Sequence, residues 1–176
     1  MTSSPGPARR RGSPPASTAA SGALPLVAVD PGTRRAGVAV FVEGRLVAWF
    51  QVAGDGTPRG TATRILAAVR SVVSGPVAWV AETPQDYPGH PAPAADLQAL
   101  REVLDALGVP KRARALPRTW KGNVPKAVHV ARAFRVLDGR DVAPPGQGDA
   151  PDAADAVALG LWRLGRTGRG GVAPRG

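Results

Sequence analysis

The chain has 176 residues, with 23 Lys and Arg against 13 Asp and Glu, a formal net charge of +10, no cysteine and two histidines. The missing thiols exclude disulfides, a cysteine nucleophile and a zinc-thiolate centre and fit a reducing cytoplasm, and no apolar run nears the roughly 20 residues that span a bilayer. With only His90 and His129 available, a bound metal would be held by carboxylates, which selects a hard cation such as Mg²⁺ or Mn²⁺.

In chain order, residues 1–23 are rich in Ser, Pro, Gly and Arg and read as a disordered basic tail. LPLVAVD (24–30) predicts a buried strand ending in an acid before Pro-Gly. AGVAVFVEGRLVAWFQVAG (36–54) holds two apolar runs around Glu43-Gly44, a strand, a tight turn and an antiparallel strand. Residues 57–75 place Ile65, Leu66, Val69, Val72 and Val73 at helical spacing, and 76–82 is a strand that again ends in an acid, Glu82. A Pro-rich loop (83–93) leads to an amphipathic helix over 95–108. Then come a short strand over 111–117, a loop, a helix over 125–137 with Pro125 in its first turn, a Pro/Gly loop over 139–148 and a last helix over 152–164. Residues 165–176 read as a Gly/Arg-rich disordered tail. The order β-β-β-α-β-α-β-α-α implies an α/β fold: a mixed five-stranded sheet, with a three-stranded antiparallel meander plus parallel strands, and helices on both faces.

Charge is uneven along this frame. The tails hold arginines and no acids, and residues 111–140 carry nine Lys or Arg against one acid, Asp138. Such a cluster is an electrostatic footprint for a polyanion. Arg112, Arg114, Arg118, Lys121, Lys126 and Arg132 are its candidate nucleic-acid contacts.

Four acids stand out. Asp30 and Glu82 each end an apolar strand, and two adjacent strands running the same way would put both at one end of the sheet. Asp152 and Asp155 lie three apart at a helix start, so they share a face. If that start docks near the strand ends, four carboxylates converge, and their repulsion calls for cations. Two Mg²⁺ ions roughly 4 Å apart would clamp the attacking and leaving oxygens of a phosphoryl displacement. Taken singly, Asp30 could cap a turn and Asp152 could complement the helix dipole. Asp149, just before Pro151, suits an N-cap.

In the order DPGTRRAGVAV, VAWVAETP and PDAADAVALG, these motifs resemble the RuvC-like Holliday junction resolvases of the RNase H-like superfamily, over roughly residues 24–164. The resemblance implies an RNase H-like nuclease domain at 24–164, with Asp30, Glu82, Asp152 and Asp155 as metal ligands. It places Lys121 and Lys126 near the scissile phosphate, where they would stabilise transition-state charge. It also implies two Mg²⁺ ions (Mn²⁺ substituting), branched DNA as substrate, a homodimer making paired nicks across a four-way junction, and no membrane association. The Pro-x-x-Trp-Lys-Gly wording at 117–122 is closest to compact, phage-type members. Where the family sets an aromatic about three residues beyond the Glu, this chain has Gln85, with Tyr87 the nearest aromatic. Tyr87 either stacks on an unpaired base or packs on its neighbouring prolines, and Trp120 reads as a core anchor.

Other functions fit parts of the pattern. Asp-x-Gly-Thr also opens the phosphate loop of actin-like ATPases and sugar kinases, which need two such domains and so a longer chain. A non-catalytic nucleic-acid binder of the same fold would lack the acids, and a nuclease for flaps, forks or RNA–DNA hybrids would keep them.

Overall fold

A computed structural model describes residues 23–86, 92–144 and 150–167. The strands are β1 (Leu26–Asp30), β2 (Arg35–Val42), β3 (Arg45–Ala53), β4 (Ala78–Glu82) and β5 (Arg114–Ala115). The helices are α1 (Pro58–Arg70), α2 (Ala94–Ala106), α3 (Pro117–Trp120), α4 (Lys126–Phe134) and α5 (Pro151–Arg163). The sheet runs β3-β2-β1-β4-β5. β1, β2 and β3 pair antiparallel, and β4 and β5 extend the sheet in parallel from β1. This is the mixed five-stranded sheet that the element order implies. Among the described residues no helix is long and apolar enough to cross a membrane.

Period-two alternation divides the core into two layers. Val27, Val29, Val38 and Val40 meet Ile65 and Val69 of α1 and Val103 and Leu104 of α2. Leu26, Ala28, Ala39, Phe41 and Val80 meet Val157, Leu159 and Leu161 of α5, Ala133 of α4 and Trp120. Helices therefore cover both faces. Asp30 continues the row of Leu26 and Ala28, and Glu82 the row of Val80, so both carboxylates fall on the face that α5 covers.

Local chemistry sets the boundaries. The β2–β3 hairpin turns on Glu43 (φ 51°) and Gly44 (φ 77°), the pair of left-handed residues that a two-residue hairpin needs. Glycine suits this backbone and glutamate does not, so Glu43→Asn should stabilise the fold by about 1 kcal/mol and raise Tm by about 2–4 °C. A thermal melt of the purified variant checks this. In α1, Thr57 caps the start by accepting from the Gly60 amide at 3.1 Å. That helix stops at Arg70, five residues before the expected Gly75, and leaves Val72 exposed.

Three expectations are corrected. The strand expected over 111–117 is a 3₁₀ turn at Lys111–Ala113 followed by two paired residues. Pro117, which cannot donate to a ladder, instead opens the one-turn helix α3 inside the expected loop. The helix expected over 125–137 is shorter, with Pro125 at its cap and Phe134 its last residue. Asp149, expected as a cap for α5, lies outside the described residues, and the residue at the cap is Ala150.

The expected C-terminal tail starts at residue 165, yet Arg166 is built into the body. Its guanidinium donates to the carbonyls of Gly44 (3.0 Å) and Val136 (2.7 Å) and to both carboxylate oxygens of Asp141. Asp141 also accepts from the Leu46 and Asp138 amides. The Arg166 hydrogen bonds hold its carboxyl far below the usual carboxylate range. This clamp ties the end of α5 to the hairpin and to the segment after α4, at the end of the sheet opposite Asp30.

Candidate active site

β1 and β4 run parallel with Val29 beside Ala81, so the next residues, Asp30 and Glu82, emerge side by side at the strand ends. The start of α5 sits over them because of a glycine. Gly37 of β2 pairs with Asp30, and a Cβ built on Gly37 would lie 1.9 Å from the Asp152 carbonyl oxygen and 2.6 Å from the Ala153 amide. No residue with a side chain fits there. The missing methyl lets the first turn of α5 rest on β2, which carries Asp152 and Asp155 to the strand ends.

The positive charge within this group comes from two lysines. Lys121, just after α3, sets its Nζ 2.7 Å from Glu82 Oε2 and 3.4 Å from Asp155 Oδ2. Lys126, at the start of α4, reaches Asp155 Oδ2 at 2.7 Å. The approach to Glu82 is an ion pair without the direction of a good hydrogen bond. Asp152, nearer solvent, accepts from Gln51 Nε2 at 3.2 Å and lies 3.9 Å from Arg35.

Electrostatics follow from burial and crowding. Burial pushes the Asp30 carboxyl well above its ordinary value, and the charges of Glu82, Asp155 and Asp152 push it further against the pull of Lys121. Glu82 is raised by burial, with Lys121 opposing. Burial alone would lower the Lys121 ammonium, but Glu82, Asp155 and Asp30 outweigh it and its pKa rises. This is the signature of carboxylates that lack enough positive charge.

Among the described residues, no three Asp, Glu or His side chains are gathered tightly enough to enclose a cation. The ammonium groups of Lys121 and Lys126 stand among the acids instead. The donors nonetheless suit a hard divalent ion. They are all carboxylate oxygens, Asp155 is 3% exposed, and its Oδ1 is buried without a partner. An unpaired buried carboxylate oxygen is costly, and a cation would satisfy it.

All six expected catalytic residues thus share one site. The expected nucleic-acid contacts are more scattered. Arg112, Arg118 and Arg132 are exposed, and Lys121 and Lys126 belong to the carboxylate cluster. Arg114 is corrected: its guanidinium turns inward to Asp105 and the Val109 carbonyl, bracing β5 against the end of α2. Tyr87 lies outside the described residues. Trp120 is 6% exposed and packs in the α5-side core, as expected.

Sequence reasoning missed Gly37, Gln51, Arg34 and Arg35. Gln51 stands opposite Gly37 on β3, and its signal was a polar residue two places after Trp49 on the same strand face. The exposed Arg34 and Arg35 border a groove of about 790 Å³ that runs from Pro31 past Asp152 to Leu100 of α2.

No protein-family model matches the chain, and no curated protein matches it in sequence. Solved structures do. The chain is similar to RuvC of Thermus thermophilus in complex with a Holliday junction substrate, with 21% identity and a TM-score of 0.56, covering 78% of this chain and 91% of that one. It is also similar to a second structure of T. thermophilus RuvC, with 24% identity and a TM-score of 0.52, covering 81% and 98%. The chain has the RuvC form of the RNase H-like α/β fold.

Proposed function

We propose that this protein is a metal-dependent, structure-selective DNA endonuclease that resolves four-way junctions by paired nicks, acting as a homodimer. The observation that carries this reading is the placement of Asp30, Glu82, Asp152 and Asp155, with Lys121 and Lys126, at the parallel strand ends. The shared fold with a RuvC whose structure holds a Holliday junction supports the choice of substrate.

Asp30, Glu82, Asp152 and Asp155 would hold Mg²⁺, with Mn²⁺ as a substitute. Bound there, the cation would supply Lewis acidity for hydrolysis of the phosphodiester. The protein's own groups do the rest. Asp30 and Glu82, fixed at the ends of rigid strands, define where the reacting phosphate sits. Lys121 and Lys126 offset the negative charge of the acids and, turned toward DNA, would stabilise charge that builds on the phosphate oxygens. Gln51 orients the Asp152 carboxylate. Arg34, Arg35, Arg118 and the tail arginines add salt-sensitive phosphate attraction without reading sequence.

The test is cleavage of a labelled synthetic four-way junction, a flap, a fork, an RNA–DNA hybrid and plain duplex, in Mg²⁺ or EDTA. Symmetric paired cuts confined to the junction and abolished by EDTA are expected. Cutting of flaps, forks or hybrids in place of junctions would retain the chemistry and overturn the substrate. Junction binding with no cutting in either Mg²⁺ or Mn²⁺ would overturn the enzyme.

A further inference from the structure

The two lysines among the acids are held differently. Lys121 follows the one-turn helix α3, and its amide donates back to the Pro117 carbonyl at 2.8 Å. Trp120, the residue before it, is packed in the α5-side core and fixes the backbone there. The Lys121 side chain is 20% exposed, and its Nζ lies 4.8 Å from the centre of the Trp120 ring, within reach of a cation–π attraction. From that seat it bridges carboxylates of two different elements, Glu82 Oε2 of β4 at 2.7 Å and Asp155 Oδ2 of α5 at 3.4 Å. Joining acids from separate elements is what a hard cation does in a carboxylate centre. The Lys126 side chain is 48% exposed, and its ion pair among the described residues is with Asp155 alone. Its head can leave for DNA or water while its stem stays in place.

We propose that the Lys121 ammonium permanently fills one of two cation positions in this site, so that each chain takes a single divalent ion. The inference rests on the metal-dependent nuclease reading and specifies its metal count: one ion and one ammonium in place of the pair of ions expected from the sequence. The ion would take oxygens that the lysines leave. These are Asp155 Oδ1, buried without a partner, and the carboxylates of Asp30 and Asp152. Charge agrees with this count. Four carboxylates against the two ammonium groups leave two negative charges, the amount that one divalent ion neutralises. A second divalent ion would have to force Lys121 from its acids, leaving a largely buried ammonium beside a doubly charged cation. Where two ions act, they share the stabilisation of the attacking and leaving oxygens. Here one of those duties falls to a charged N–H donor.

The experiment counts Mn²⁺ on the full chain without DNA, by EPR of the free ion during titration. The wild type, Lys121→Met and Lys126→Met are compared, with thermal melts to establish that each is folded; methionine keeps most of the length and removes the charge. The wild type and Lys126→Met should each bind one ion tightly per chain. Lys121→Met should bind two, with the spectrum of a magnetically coupled pair. In parallel, the rate of junction cutting is followed against subsaturating Mg²⁺. It should rise with the first power of Mg²⁺ in the wild type and with the second power in Lys121→Met, whose maximal rate should fall about 10²-fold. A coupled pair on the wild type, a second-power dependence in the wild type, or a folded Lys121→Met that still binds one ion would each overturn the inference. If Lys121→Met does not fold, the wild-type count and power decide it alone. If flaps, forks or hybrids are cut in place of junctions, the Mg²⁺ dependence is taken on that substrate. One ion there upholds the Lys121 assignment and overturns the junction reading, while junction cutting that needs two ions does the reverse. A wild type that binds no ion overturns the inference whatever it cuts.

Discussion

Asp30→Asn is expected to abolish junction cleavage, with a fall of at least about 10³-fold, and at the same time to make the metal-free protein more stable. The two effects share one cause. Asp30 is buried among Glu82, Asp155 and Asp152, and its carboxyl is held well above the ordinary value of 3.8. A carboxyl whose pKa is raised in the folded state favours folding while it is protonated. That contribution is complete below the ordinary carboxylate range and is lost as pH rises through the raised folded value. Glu82 is displaced in the same direction. In EDTA the wild type should therefore lose stability from pH 4 toward pH 8. An asparagine at 30 is neutral throughout and nearly the same shape. It should gain about 0.5–2 kcal/mol over the wild type at pH 8, and the gain should shrink toward pH 4. Urea melts at the two pH values measure it. Mg²⁺ reverses the ranking if the acids hold the ion. At about ten times its Kd, Mg²⁺ adds about 1.4 kcal/mol to the wild type and far less to the variant. A variant less stable than the wild type in EDTA at pH 8 would make Asp30 a structural group. Wild-type cleavage by the variant would remove Asp30 from the chemistry.

The parts of this site that were legible in the sequence are those written in short-range pattern. Asp30 and Glu82 could be placed because each closes a run of apolar strand residues before a turn, and the parallel pairing of β1 and β4 does the rest. Asp152 and Asp155 could be paired because helical spacing sets them on one face. The hairpin at Glu43-Gly44 was visible for the same local reason. What was hidden depends on the third dimension. The two lysines were expected to face DNA, but nothing in the sequence places Lys121 between Glu82 and Asp155, separated from it by 39 and 34 positions. Arg114 looked like one more cation in a basic run, and only the approach of α2 shows it bracing Asp105 and Val109. β5 was overestimated because an apolar-basic alternation suggests a strand, while Pro117 ends pairing after two residues. Gly37 was quoted in a motif without its reason, which is the carbonyl of a residue 115 positions away.

That glycine gives the second large effect. In Gly37→Ala the new methyl carbon would stand 1.9 Å from the Asp152 carbonyl oxygen and 2.1 Å from its carbon, against the roughly 3.5 Å that non-bonded atoms require. Neither partner can yield easily. β2 is held on both sides by β1 and β3, and the obstructing atoms are helix backbone. The first turn of α5 must therefore move away from the sheet by more than about 1 Å, taking Asp152 and Asp155 from Asp30 and Glu82. A displacement of that size at a reacting centre can cost about 10²-fold in rate, on top of about 1–3 kcal/mol of overpacking strain. Strain alone could also lower activity by unfolding part of the sample, so the control is Gly160→Ala in the same helix. There the added carbon would lie 2.1 Å from the Phe41 ring, an overlap as close but with a side chain, five residues beyond Asp155. Both variants should unfold at lower urea than the wild type. Cleavage per folded molecule, measured well below either midpoint with Mg²⁺ in excess, should fall only in Gly37→Ala. An equal loss in both would mean that α5 positions its acids through general packing. No loss in Gly37→Ala would mean that the aspartates need not sit against the strand ends, and the four-carboxylate site would lose its geometric basis.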